Sequence, residues 1–298
     1  MTIWSLVAKR IEDGARTGVP RFDAMLRRIF PGIESVTVLP KIDLTCLEDK
    51  AQKLVSALSP DDIVITDNHL SLAVPPDIRT IVVHHGCAAT HYARDPKWRT
   101  PHTMASVEGQ CRMFELPNRT WVAPSWWVGM QFCDVCPKGI EYSFKTIPHW
   151  VEPIEPLPKS GKPKIIGDWR DHNKGADLWA QLATRCRQWE FQPLSFRDDA
   201  GRKRQYGDAS LYLSLSLSEG GSYSVCDAEA ANLPIVMTDV GNYAELDDAE
   251  VIRWQDRDNL DLVIAAIDRK VKAGRRKPSF YVSHTFDRWA GLWRGLMA

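Results

Sequence analysis

The sequence predicts an α/β protein built from two doubly wound parallel sheets. Three observations carry that prediction. Short β-branched runs alternate with helical stripes along the chain. Residues 152–163 hold four prolines, which forbid a continuous helix or central strand and divide the alternation in two. The 298 residues suit two domains of ordinary size.

In the first half, residues 3–7 read as a short apolar strand. Gly14 and Gly18 follow, and from 19 to 30 Phe22, Met25, Leu26, Ile29 and Phe30 fall at helical spacing behind Pro20, a residue tolerated in a first helical turn. Residues 35–39 read as a second strand. Thr45 and Glu48 form a capping box at the head of a stripe of Leu47, Ala51, Leu54, Val55 and Leu58. Runs at 63–66, 80–84 and 120–123 are further strands. In the second half, strands are expected at 164–167, 191–196, 209–218 and 234–238, and helices at 176–189, 225–231 and 260–271. Leu211, Leu213, Leu215 and Leu217 give the 209–218 strand one apolar face. Ligands of such sheets bind beyond the carboxyl ends of the strands, so the cleft between the halves is the expected site.

Composition narrows the function classes. Hydrophobic residues make up 44% and charged residues 26%, which excludes a disordered chain or a small disulfide scaffold. The 38 basic and 38 acidic residues balance, against a dedicated nucleic-acid binder. The seven cysteines are scattered, as expected of reduced thiols, and the lone pair Cys133 and Cys136 cannot supply four zinc ligands. No apolar run approaches the roughly 18 residues of a membrane span, and the N-terminus is too short in apolar residues for a secretory signal. A cytoplasmic location is the expectation. Most of the 12 tryptophans are expected in packing, and a minority to stack on a sugar or base.

The stretch 218–245 is the most informative. A strand ends at Ser218, Glu219 follows, and Gly220 and Gly221 let the backbone turn tightly and approach a ligand. A helix then begins near Val225, its N-terminus offering N–H groups to an anion, with Asp227 in its first turn. This unit resembles the signature of the retaining GT-B-fold glycosyltransferases of glycosyltransferase family 4, in which two acids separated by seven residues precede an Ala-rich turn and an apolar strand. Here the acids are Glu219 and Asp227, followed by Ala228, Ala230, Ala231, Asn232, Leu233, Pro234, Ile235 and Val236. The second acid is one carbon shorter than the family's Glu. The resemblance implies that Glu219 contacts the donor sugar, that Asp227 contacts the nucleotide ribose, and that Gly220, Gly221 and Ser222 border the donor diphosphate.

Residues 165–175 resemble the family's strand and Lys-Gly loop, which implies that Lys174 and Arg170 bind the diphosphate. Arg170 lies two residues beyond Asp168, displaced from the family position. Residues 80–86 resemble the strand that ends in His-Gly, which implies that His85 faces the donor sugar; His84 is its neighbour. Gly14 and Gly18 resemble the family's glycine-rich first loop. Val122 to Ser125 and Thr146 to Glu152 resemble the segments that bracket the passage between domains, and Phe286 to Trp289 the start of a final helix that crosses back. The domains implied are 1–151, an acceptor domain; 164–280, a nucleotide-sugar domain; and 281–298, the returning helix.

The function implied is retaining transfer of a sugar from a nucleoside diphosphate sugar, a UDP- or GDP-sugar, to an acceptor hydroxyl. No tightly bound cofactor and no metal are expected. Closure about 152–163 would exclude water from the donor. The acceptor is left among a glycan, a lipid-linked sugar, a small metabolite and a modified nucleic-acid base. Basic clusters at 202–204 and 269–277 are candidates for peripheral membrane or nucleic-acid contact, although solvated faces explain them as readily. The alternative function is a non-catalytic sugar-nucleotide or glycan-binding protein of the same fold.

Overall fold

A computed structural model describes residues 1–7, 18–37, 57–135, 144–275 and 286–298. The chain divides into two compact units, Met1–Pro148 with Asp287–Ala298, and His149–Phe286. Gly14, Cys136 and the capping box at Thr45 lie outside the described residues.

The first unit is a six-stranded parallel sheet. In chain order its elements are β1 (Ile3–Val7), α1 (Gly18–Ile29), β2 (Glu34–Thr37), β3 (Ile63–Asp67), β4 (Arg79–Val83), α2 (Ala88–Arg94), α3 (Pro101–Met113), β5 (Arg119–Ala123), α4 (Trp126–Val135) and β6 (Lys145–Thr146). The strand order is β2-β1-β3-β4-β5-β6. The chain leaves β1 in one direction for β2 and returns on its other side as β3, so the topological switch point lies between β1 and β3. Strands β3 and β4 are buried on both faces, as parallel strands covered by helices must be. Gly18, expected in a loop, instead opens α1.

The second unit holds β7 (Lys164–Gly167), α5 (Ala176–Arg185), β8 (Glu190–Pro193), α6 (Asp199–Asp208), β9 (Leu211–Ser214), α7 (Tyr223–Ala230), β10 (Ile235–Thr238), β11 (Ala249–Ile252) and α8 (Leu260–Ala273). Its parallel order is β11-β10-β9-β7-β8, which puts the switch point between β7 and β9. Period-two alternation builds both layers. Leu211 and Leu213 join Leu178 and Leu182 of α5 and Val263 and Ile267 of α8 in one core, while Tyr212, on the opposite face, stacks 6.2 Å from Tyr206 of α6.

The strand expected over 209–218 ends at Ser214, although the apolar alternation continues. Beyond it the backbone groups have other partners: the Leu215 carbonyl accepts from Arg257 and the Leu217 N–H donates to the Asn173 carbonyl. Residues 152–163 form no helix or strand, yet they run along the second unit, with Ile154 buried and its N–H donating to the Ala230 carbonyl at 2.9 Å. Helix α9 (Phe286–Gly295) packs in the first unit: Trp293 lies 5.2 Å from Phe22, and Arg79 donates to the Leu296 carbonyl.

Candidate functional site

The second unit's switch point is where its best candidate residues meet. The loops that leave β7 and β9 diverge there, and their backbones are locked together across the gap. Asn173 donates from Nδ2 to the Ser218 carbonyl at 3.0 Å and accepts from the Ser218 N–H at 3.1 Å. Its own carbonyl takes the Leu217 N–H at 2.8 Å. Arg257 binds both loops, donating to the carbonyls of His172 at 3.1 Å and Leu215 at 2.9 Å. The β7 loop turns into α5 at Gly175, at φ +85°, where a Cβ would meet the Leu215 side chain at 3.1 Å.

This lock brings together two side chains 45 positions apart. The Lys174 ammonium contacts the Glu219 carboxylate, which also accepts from the Ser216 hydroxyl at 2.8 Å. Both side chains are mostly buried, with 16% and 10% of their surfaces exposed. Behind the Glu219 turn, Gly241 sits at φ +67°, and a Cβ there would lie 2.7 Å from the Gly220 carbonyl and 2.9 Å from Glu219 Cβ. Asn242 beside it accepts from the Ser222 N–H at 2.7 Å. That N–H, expected to face an anion, is thus engaged within the protein.

Arg170 stands on the same β7 loop, exposed, with its guanidinium forked onto Asp168 at 2.6 and 2.8 Å. The fork, with Asp171 and Glu219 nearby, holds its pKa above the ordinary guanidinium value. Arg170 therefore lies within the electrostatic reach of Glu219.

Asp227 departs from expectation. It is 1% exposed, and its carboxylate receives the Arg202 guanidinium at 2.5 Å instead of facing solvent. The 202–204 cluster changes meaning with it. Arg202 is buried between Asp227 and Asp199, and Lys203 is paired with Glu152 and Asp199, which raise its pKa. At the other cluster, Arg269 pairs with Glu250, Lys270 with Asp248 and Lys272 with Asp268, while Arg275 donates to the carbonyls of Ala231 and Gly207. Arg276 and Lys277 lie outside the described residues.

In the first unit, His85 follows β4 and meets Asp67, at the end of the neighbouring β3, at 2.9 Å. These residues border that sheet's switch point. His84 is fully buried, ringed by Phe114, Trp121, Phe132 and Phe144. Burial drives its pKa down to about 3, and its Nδ1–H donates to Asn68 Oδ1 at 3.2 Å, the oxygen that Gln110 also reaches. It is a neutral core histidine. Among the described residues no three of His, Cys, Asp or Glu converge on a metal-sized gap.

Asn173, Arg257, Gly241 and Asn242 carry the site's geometry and were not singled out from sequence. Gly241 and Asn242 had a signal, as a Gly-Asn pair just after an apolar strand.

No family model and no curated protein matches the sequence. Solved structures do. Sucrose-phosphate synthase from Thermosynechococcus elongatus is similar over 100% of this chain and 96% of that chain, with TM-score 0.70 and 12% identity. An α,α-trehalose-phosphate synthase (UDP-forming) from Burkholderia xenovorans, in complex with glucose-6-phosphate, covers 100% of each chain, with TM-score 0.65 and 12% identity. Anabaena HepE in complex with UDP is similar over 98% of this chain and 94% of that chain, with TM-score 0.57 and 11% identity. With two parallel, doubly wound sheets and these neighbours, the chain has the GT-B fold of glycosyltransferases.

Proposed function

We propose that this chain is a nucleotide-sugar-dependent glycosyltransferase that moves a sugar from a nucleoside diphosphate to an acceptor hydroxyl with retention of configuration. One observation carries the reading: Lys174 and Glu219 in contact at the switch point between β7 and β9. A cation and a carboxylate at that place match the two charges that develop when a glycosyl–phosphate bond breaks. The leaving diphosphate gains negative charge, which falls to Lys174, to Arg170 and to the backbone around Gly220 and Gly221. The sugar gains oxocarbenium character, which falls to Glu219. His85 in the first unit, held by Asp67, is assigned to the sugar hydroxyls. The donor is a UDP- or GDP-sugar, and the neighbours solved with UDP or named UDP-forming favour UDP. The acceptor is a glycan, a lipid-linked sugar or a modified nucleic-acid base, and the protein works in the cytoplasm without a resident cofactor.

Asp227 is given a structural part, because Arg202 already holds it. A structural Asp227 leaves the proposed diphosphate site in place, since that site stands on other residues.

The test is Glu219→Gln, with donor identified by a thermal-shift screen of nucleotide sugars. The variant is expected to bind nucleoside diphosphate at least as well as the wild type, because Lys174 loses its competing anion. Its transfer rate is expected to fall at least about a hundredfold, roughly 2.7 kcal/mol of transition-state stabilisation. Transfer at the wild-type rate overturns the site. Donor binding with no transfer and no released nucleotide, already in the wild type, makes the chain a sugar-nucleotide-binding protein instead.

A further inference from the structure

The first unit carries an exposed face that the glycosyltransferase reading does not use. Of the nine large apolar side chains exposed among the described residues, four fall within 98–130: Trp98 (42% exposed), Met104 (38%), Trp126 (52%) and Met130 (37%). They include both exposed tryptophans. Trp126 and Met130 stand one turn apart on α4. Trp98 and Met104 flank the start of α3.

Contacts through α2 join the segments that carry these residues. Thr90 of α2 bonds Gln131 of α4 at 2.6 Å, and the Arg94 guanidinium sits 5.3 Å over the Trp127 ring, beside Trp126. One turn back on α2, His91 stacks on Trp98 at 4.9 Å. Around Trp98 the exposed charge is of one sign. Lys97 and Arg99 are exposed, Arg99 donates to the backbone carbonyls of Tyr92 and Ala93 at 3.4 and 3.3 Å, and Arg94 adds a third cation. The single acid of 88–104 is Asp95, 1% exposed and spent on the Lys97 N–H. Two exposed acids stand one turn beyond the methionines, Glu108 after Met104 on α3 and Asp134 after Met130 on α4.

We propose that this face docks the protein on an anionic lipid surface. Tryptophan prefers the boundary between headgroup and acyl chain, where its ring is apolar and its N–H stays wet. Lysine and arginine at the same level are attracted to anionic headgroups, and each exposed methionine adds buried apolar area. The paired basic clusters at 202–204 and 269–275 offer no such combination. Docking needs neither donor nor turnover, so it stands or falls separately from the proposed activity.

The experiment is co-sedimentation of the full chain with vesicles of phosphatidylcholine alone or mixed with phosphatidylglycerol. The wild type is expected to pellet with the mixed vesicles and to remain in solution with phosphatidylcholine alone. Lys97→Gln and Arg99→Gln should each weaken binding about fivefold, and Trp98→Ala with Trp126→Ala at least about tenfold, all with unchanged melting temperature. An adequately folded wild type that ignores anionic vesicles overturns the proposal. So does light scattering that gives a dimer dissociated by Trp126→Ala, which makes the face a contact between copies. Equal binding by the double tryptophan variant overturns it as well.

Discussion

Replacing Asp227 separates a buried structural acid from a ribose ligand. The Arg202–Asp227 pair is among the least exposed ion pairs in the chain, at 7% and 1% side-chain exposure. Removing one partner of such a pair costs about 3–5 kcal/mol, because the other charge is left desolvated. Arg202 would keep Asp199, whose side chain is 60% exposed, which sets the cost of Asp227→Ala near the lower end, about 3 kcal/mol. In a domain of this size that is a fall of about 10 °C in melting temperature. Asp227→Asn keeps an acceptor oxygen and should cost about half as much. Asp227→Leu combined with Arg202→Met should recover most of the loss, since no charge is then stranded. Calorimetric melting gives the stability, and titration with nucleoside diphosphate gives the affinity, expected to change less than about twofold in Asp227→Asn. An Asp227→Asn protein that melts like the wild type but binds nucleotide tenfold more weakly refutes the structural assignment and returns Asp227 to the ribose.

Lys174→Ala should weaken nucleoside diphosphate binding by about ten- to a hundredfold, one charge-assisted contact of about 1.5–3 kcal/mol, read by isothermal titration. Wild-type affinity would remove the lysine from the diphosphate site. Gly241→Ala forces a side chain into left-handed backbone and against the Gly220 carbonyl, so it should lower donor affinity and cost about 1–2 kcal/mol in stability. An unchanged enzyme would show that the Glu219 turn tolerates displacement. His84 gives a pH signature. Its folded pKa of about 3 lies below the ordinary histidine value of 6.5, so the unfolded chain binds the extra proton between those values. Stability should therefore rise with pH across about 3 to 6.5, by up to about 1.4 kcal/mol per unit, and be fully present above it. In His84→Leu, thermal melts at pH 4 to 7 should lose that part of the slope; an identical slope would assign it to other groups.

The sheets were legible because parallel strands need continuous apolar runs and turn-bounded helices need stripes, and both patterns are local. Helix α3 escaped because it buries Thr103, Gly109, Gln110 and Met113, a face of small and polar groups with no stripe. Gly109 fits there because a Cβ would press on His69 at 3.2 Å. The end of β9 was misjudged for the opposite reason. Leucines alternate through Leu217, but the ladder stops where Asn173 and Arg257 take over the backbone groups. Glu219 and Lys174 were readable as types in a motif, whereas their contact depends on the sheet order β9-β7, a pairing across 45 residues. Arg202 misled most. In sequence it is the first of three adjacent cations; in the fold, helical spacing turns it inward to Asp227 while Arg204 stays exposed.

The Lys174–Glu219 contact also explains why a site built for opposite charges is stable before its substrate arrives. A mostly buried ammonium or carboxylate alone would carry a large desolvation cost, and each here offsets the other's. In the proposed reaction, a diphosphate entering beside Lys174 would supply a second anion to the same cation and weaken its hold on Glu219. The carboxylate's charge is then least compensated as positive charge grows on the sugar. Under that proposal, substrate binding would do part of the work of activating the carboxylate. The lock of Asn173, Arg257 and Gly241 ties the two loops together, and in the proposed reaction it would hold Lys174 and Glu219 in place as the diphosphate enters.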